Sequence, residues 1–194
     1  MNFTGERATL GNMPGRIRIA QEHIARYNFA LGILEQHGCK TVLDAACGTG
    51  YGTWLLSQNG FDTFGVDIDS RAIADAIKIN AMTGADFTSG SLDDPEEILE
   101  LVGRTFDAIV SFETIEHLEF PGKYLEWVKT KSNLLIFSLP IEQPSDFHKQ
   151  VYSVTQAMDQ IKRHFSQTEF LAQVYMNFYK AGDDAQYLVG YAKA

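Results

Sequence analysis

The stretch Phe112-Glu113-Thr114-Ile115-Glu116-His117-Leu118 places two carboxylates and an imidazole close together in sequence. Side chains of these types transfer protons near neutral pH and hold hard cations. If the segment is helical, Glu113, Glu116 and His117 stand at i, i+3 and i+4 and share one face. His148, in the loop after the next apolar run, can add a fourth group at the same edge of a sheet. Two chemistries follow. Glu113, Glu116, His117 and His148 can ligate a metal, or Glu113, His117 and His148 can act as catalytic groups, with either histidine as general base without a metal. A plainer reading competes with both: glutamates at a helix start favour the helix dipole, and His117 can simply hydrogen-bond within the core.

A second constellation lies upstream. Val42-Leu43-Asp44-Ala45-Ala46-Cys47-Gly48-Thr49-Gly50-Tyr51-Gly52 runs from a buried strand through a glycine turn into a helix, where backbone amides can approach a ligand closely. Its spacing is G-x-G-x-G, with Thr53 where a dinucleotide fingerprint needs its third glycine, so nicotinamide cofactors are disfavoured. No G-x-x-x-x-G-K-[ST] phosphate loop occurs anywhere in the chain. Asp44 ends the strand before the glycines, and Asp67 ends the next strand in Phe64-Gly65-Val66-Asp67-Ile68-Asp69. Two acids here suggest a cationic ligand that carries a ribose. Asp67 can accept from both ribose hydroxyls, while Asp44 can order the turn and face an ammonium.

These residues need a scaffold. Short runs rich in Val, Ile and Phe alternate with stretches of helical spacing, which predicts an α/β sheet with helices on its faces. Seven strands are expected: 41–44, 63–67, 86–89, 106–112, 133–139, 169–176 and 187–192. The first five read as parallel, joined by crossover helices at 51–59, 70–83, 95–102 and 124–131. The last two read as an antiparallel hairpin around 177–186, with Phe165, Phe170, Tyr175, Phe178 and Tyr179 on its apolar face. Residues 16–36 form a helix before the sheet, with Ile17, Ile24, Tyr27, Leu31 and Leu34 at apolar spacing. Residues 1–37 are thus an N-terminal helical lid segment of one domain spanning 1–194. Its first 30 residues hold four arginines against two glutamates, a net +2 in a chain whose remainder carries −11.

Composition bounds the partners. At 194 residues, 45% hydrophobic and 21% charged, the chain is of ordinary size for one folded domain. Its net charge of −9 argues against long nucleic acid and anionic membrane as partners. Cys39 and Cys47 fit neither a zinc knuckle nor a disulfide framework, and no signal peptide or membrane run is evident, so a cytoplasmic location is expected.

On Leu43-Asp44-Ala45-Ala46-Cys47-Gly48-Thr49-Gly50, Gly65-Val66-Asp67-Ile68 and Phe106-Asp107-Ala108-Ile109-Val110-Ser111, the chain resembles the class I S-adenosylmethionine-dependent methyltransferases. Within them it is similar to the ubiquinone O-methyltransferase-like group of small methyltransferases, across nearly its whole length. The resemblance implies a Rossmann-like three-layer α/β/α sandwich whose seven-stranded, mostly parallel sheet has one antiparallel strand. It also implies S-adenosyl-L-methionine as cofactor, with Gly48 and Gly50 passing the methionine part, Asp67 on the ribose, and Ile68 and Leu92 around the adenine. The expected cofactor-binding set is Asp44, Ala46, Gly48, Gly50, Tyr51, Asp67, Ile68, Ser91, Leu92 and Phe112. Two positions depart from the family pattern: Ala46 replaces its usual first glycine, and Ser91 stands where an aspartate commonly meets the adenine amino group.

E-x-x-E-H with a later histidine resembles the divalent-metal site of small-RNA 3′-terminal 2′-O-methyltransferases, and its mixed ligation suits Mg or Mn. The leading expectation is methyl transfer to a hydroxyl or amine of a small or medium polar acceptor, a small molecule or an exposed terminal group. Two alternatives stand beside it: a non-catalytic S-adenosylmethionine-binding sensor or partner subunit, and a metal-dependent RNA-terminal 2′-O-methyltransferase.

Overall fold

The computed structural model describes residues 17–94, 103–182 and 184–194. In chain order it contains α1 (Ile17–Gln36), β1 (Thr41–Ala45), α2 (Tyr51–Gln58), β2 (Asp62–Asp67), α3 (Ser70–Ile79), β3 (Asp86–Ser89) and β4 (Ala108–Phe112). A short 3-10 turn (Ile115–His117), α4 (Pro121–Lys131), β5 (Leu134–Pro140), α5 (Val154–Lys162), β6 (Gln167–Val174), β7 (Asn177–Lys180) and β8 (Tyr187–Lys193) follow. The predicted helix 95–102 lies outside the described residues, as do Arg7 and Arg16 of the predicted lid.

The strands form one mixed sheet in the order β3-β2-β1-β4-β5-β8-β6-β7. β1 to β5 are parallel, and β8 enters antiparallel between β5 and β6. Every residue of β4 and β5 is buried, as expected of central strands covered on both faces. Successive side chains alternate between two cores. Leu43, Ile109, Leu135 and Phe137 pack with Tyr124, Leu125 and Val128 of α4 and with Ile161 of α5. Val42, Ala108, Val110 and Ile136 pack with Tyr27, Ala30 and Leu34 of α1 and with Leu56 of α2.

The sheet has eight strands rather than seven. The stretch read as a hairpin loop supplies β7, which adds an antiparallel edge beyond β6, so the reversal between β6 and β8 is longer than a hairpin. Tyr175 turns the chain between β6 and β7 with φ 56° and is exposed, as is Tyr179, so the two are not on a buried face. Phe165 is buried, Phe170 packs against the core, and Phe178 meets Phe29 of α1 at a ring separation of 5.3 Å. The crossover from β5 to β6 is carried by α5, a helix absent from the sequence reading. Its start is a capping box, in which Ser153 Oγ accepts from the Gln156 amide at 3.3 Å while Gln156 Oε1 accepts from the Ser153 amide at 2.9 Å. Among the described residues, no helix is long and apolar enough to cross a membrane. Cys39 and Cys47 are buried free thiols.

The third glycine of the turn has a packing role. A Cβ on Gly52 would stand 1.9 Å from Cζ of Tyr27 and 2.3 Å from its oxygen, so α1 and α2 approach closely only because that position is bare. Gly52→Ala must therefore push the Tyr27 ring out of its seat. We expect a loss of roughly 1–3 kcal/mol in urea unfolding, the usual range for overpacking. Unchanged stability would show that this seat is not needed.

Candidate active site

The glycine turn starts where β1 ends. Ala46, Gly48 and Gly50 all take left-handed φ angles (59°, 58° and 75°), which coil the backbone back before α2 begins. A Cβ on Gly48 would meet no protein atom within 4 Å, and Gly48 lines the main cleft, so the bare position leaves room for a ligand beside the backbone. Asp67 ties β2 to this turn. One carboxylate oxygen accepts from the Gly48 amide at 2.9 Å, and the other accepts from the Asp69 amide at the same distance. These contacts orient the Asp67 carboxylate at the mouth of the glycine turn.

The cleft has a volume of about 570 Å³ along the carboxyl ends of the parallel strands. Ala46, Gly48, Tyr51, Asp67, Ile68, Ser91, Leu92 and Phe112 line it, which brings together most of the residues expected around a cofactor. Asp44 and Gly50 do not line it. Asp44 is buried behind the turn, where it accepts from Thr53 Oγ1 at 2.6 Å and from the Tyr27 hydroxyl at 3.0 and 3.3 Å. Burial pushes its carboxyl up to about 6, although the Thr53 and Tyr27 hydrogen bonds oppose this. Asp44 thus orders the turn, and the Tyr27 ring, which does line the cleft, carries the contact forward. Asp93, also at the cleft, accepts from the backbone amides of Glu119 and Phe120.

Glu113, Glu116 and His117 do not share one helical face. Glu113 itself takes a left-handed φ of 49°, and only residues 115–117 make a helical turn. The Glu113 side chain turns instead toward α1, where it pairs with the guanidinium of Arg26 and lies 3.3 Å from Nε2 of His23. Arg26 is fully buried. Its Nη1 donates to Gln173 Oε1 on β6 at 2.9 Å, and its guanidinium stacks 4.4 Å from the ring centre of Tyr187 on β8. Gln173 in turn donates to the carbonyls of Glu22 and Tyr175. Burial alone would raise the Glu113 carboxyl, but the charge of Arg26, aided by a hydrogen bond from His23, holds it well below the usual range. The sequence reading counted Arg26 among the charges of a lid. Its position on the same helical stripe as His23, Ala30 and Leu34 was the available signal that it faces inward.

Glu116, His117 and His148 do converge, each with a potential ligand atom within 4.8 Å of the others. Glu116 is buried, and its carbonyl accepts from the amides of Lys149 and Gln150, which clips the loop carrying His148 against the 3-10 turn. Nδ1 of His117 faces the Phe147 carbonyl at 3.0 Å, and Nδ1 of His148 faces the Gln143 carbonyl at 2.6 Å. A carbonyl only accepts, so in each ring Nδ1 carries the hydrogen, which leaves Nε2 as the nitrogen that can ligate. Metal-bound histidines are commonly fixed in this way. One carboxylate and two imidazoles fit a hard or borderline divalent cation with open positions, and both histidines line the cleft. Glu113, held by Arg26, lies outside this group.

An open α/β sheet with strand order 3-2-1-4-5 and an inserted antiparallel strand, a glycine turn after β1 and a carboxylate ending β2 together define a class I methyltransferase fold. The family described as a methyltransferase domain matches residues 16–176, and the chain belongs to it. Glycine N-methyltransferases of Oryctolagus cuniculus and Mus musculus are 46% identical to it over 48 residues, 25% of this chain, so the match spans only 16% of those relatives. An S-adenosylmethionine-dependent methyltransferase from Clostridium acetobutylicum superposes with a TM-score of 0.75 at 14% identity, over 94% of this chain and 96% of that one. The small RNA methyltransferase HEN1 superposes with a TM-score of 0.72 at 19% identity, over 87% of this chain and 24% of that one.

The Glu113–Arg26 pair makes stability depend on acid. Because the folded Glu113 carboxyl lies below its ordinary value of 4.5, its stabilisation is present above that pH and is lost as pH falls below it. We expect Glu113→Gln to lower stability by roughly 2 kcal/mol at neutral pH, between the limits for exposed and buried pairs. The gap from wild type should shrink as urea titrations move from pH 5 toward pH 3, whereas a gap of the same size at both pH values would refute the assignment.

Proposed function

We propose that the protein transfers the methyl group of S-adenosylmethionine to a hydroxyl or amine of a small or medium polar acceptor. The observation that carries this reading is the tie between Asp67 and the Gly48 amide, which sets a ribose-sized acceptor beside bare backbone at the mouth of the cleft. Asp67 would take the ribose hydroxyls, Ile68 and Leu92 the faces of the adenine, Ser91 its polar edge, and the Gly48 backbone the methionine part. Ala46, Tyr51 and Phe112 complete the wall. When bound, the cofactor supplies a methyl group on a positively charged sulfur. The protein's part is to hold an acceptor in line and exclude water, and orientation of this kind supplies many kcal/mol.

The acceptor's proton has a place to go. His117 and His148 line the same cleft, and the imidazole Nε2 of either can serve as the general base. The fixed tautomers also favour a second reading, in which Glu116, His117 and His148 hold a divalent cation that lowers the pKa of a bound hydroxyl. That reading extends to terminal 2′-hydroxyls of RNA, and one neighbour in fold is named a small RNA methyltransferase, although a net charge of −9 favours a small acceptor.

Calorimetric titration with S-adenosylhomocysteine tests the cofactor assignment. One site per chain is expected, with the dissociation constant raised at least tenfold in Asp67→Ala, in line with loss of a charge-assisted hydrogen bond. Absence of binding to the wild-type protein would end the methyltransferase reading. Manganese titrated alone should give heat that disappears in His148→Ala if the cation reading holds. Cofactor binding without methylation of any acceptor in a broad panel would favour a sensor or partner subunit.

A further inference from the structure

Tyr51, His23, Glu113 and Arg26 form a continuous chain on one wall of the cleft. Nδ1 of His23 lies 2.6 Å from the Tyr51 hydroxyl, and Nε2 of the same ring lies 3.3 Å from Glu113, which Arg26 also engages. The direction of these bonds follows from their ends. An ionised carboxylate only accepts, so in the neutral imidazole Nε2 carries the hydrogen and Nδ1 accepts. The Tyr51 hydroxyl therefore donates to His23, and its oxygen keeps only acceptor capacity for anything in the cleft. Burial pushes the Tyr51 phenol well above its ordinary value, so the group stays a neutral hydroxyl. Around it the wall is aromatic, with the Arg26 charge behind it paired to Glu113. The Tyr27 ring packs edge-on against both Tyr51 and Phe112, at 5.8 and 5.1 Å, and all three line the cleft beside Gly48. Aromatic faces attract cations, and the Asp44 carboxylate stands directly behind Tyr27.

Resting on the cofactor reading above, we propose that Tyr51 is a specificity-determining residue that distinguishes the sulfonium of S-adenosylmethionine from the neutral thioether of S-adenosylhomocysteine. His23, Glu113 and Arg26 are positioning residues, which keep the Tyr51 oxygen an acceptor by holding its proton elsewhere. The benefit is product release: the wall that attracts the charged donor loses that attraction once the methyl group has left.

The test needs no acceptor. Dissociation constants for S-adenosylmethionine and S-adenosylhomocysteine are measured by calorimetry at pH 8.5, above the ordinary range of imidazole. In Tyr51→Phe, which keeps the ring, the preference for the sulfonium should fall about tenfold, with S-adenosylmethionine weakened and S-adenosylhomocysteine changed less than threefold. His23→Leu should shift the ratio in the same sense, because it frees the Tyr51 proton to point into the cleft. His23→Gln, whose amide oxygen can accept that proton, should keep most of the preference. Equal weakening of both ligands, or an unchanged ratio, in Tyr51→Phe would overturn the proposal. Wild-type protein that binds neither ligand would instead overturn the cofactor reading beneath it.

Discussion

A fully buried guanidinium sets the terms for the rest of the site. Arg26 leaves water entirely, which costs several kcal/mol unless its charge and its donors are met. Glu113 meets the charge, Gln173 meets a donor, and the Tyr187 ring covers its face. Those partners come from the end of β4, from β6 and from β8, which approach only when the whole sheet has formed. The pair therefore couples α1 to strands at the far side of the fold. It also decides the shape of the acidic segment, because Glu113 can reach Arg26 only by leaving the helical path that its spacing to Glu116 and His117 suggests.

The glycine turn works by local geometry instead. Its residues are neighbours in sequence, and the requirement for left-handed backbone and bare Cα positions is written in the residue types themselves. The two acids divide the labour: Asp67 orients toward the cleft, whereas Asp44 is drawn back to Thr53 and Tyr27. One side faces ligand and the other faces protein, a distinction that depends on where α1 docks.

That contrast explains what could be read in advance. The central parallel strands were legible because burial on both faces produces continuous apolar runs, and the reversal of β8 because the stretch before it is too short for a crossover helix. Glu116, His117 and His148 were legible as a group because two lie at the end of β4 and the third follows β5, adjacent strands whose carboxyl ends must meet. β7 was not, since four residues with an exposed tyrosine look like a loop. α5 was not, although its Ser153 and Gln156 pairing was visible, because its apolar spacing is short and interrupted by polar residues. Glu113 and Arg26 were beyond reach for a deeper reason. They are 87 positions apart, and nothing local to either residue reports the other.

Because Ile19, His23 and Tyr27 of α1 form part of the cleft wall, the wall exists only while that helix is seated. Ligand affinity and the docking equilibrium of α1 are then linked quantities. An apparent dissociation constant equals the intrinsic one divided by the fraction of molecules with the helix in place. A substitution far from the cleft that loosens the seat will thus read as weak binding, and saturating ligand will restore order to the helix without touching the mutated position.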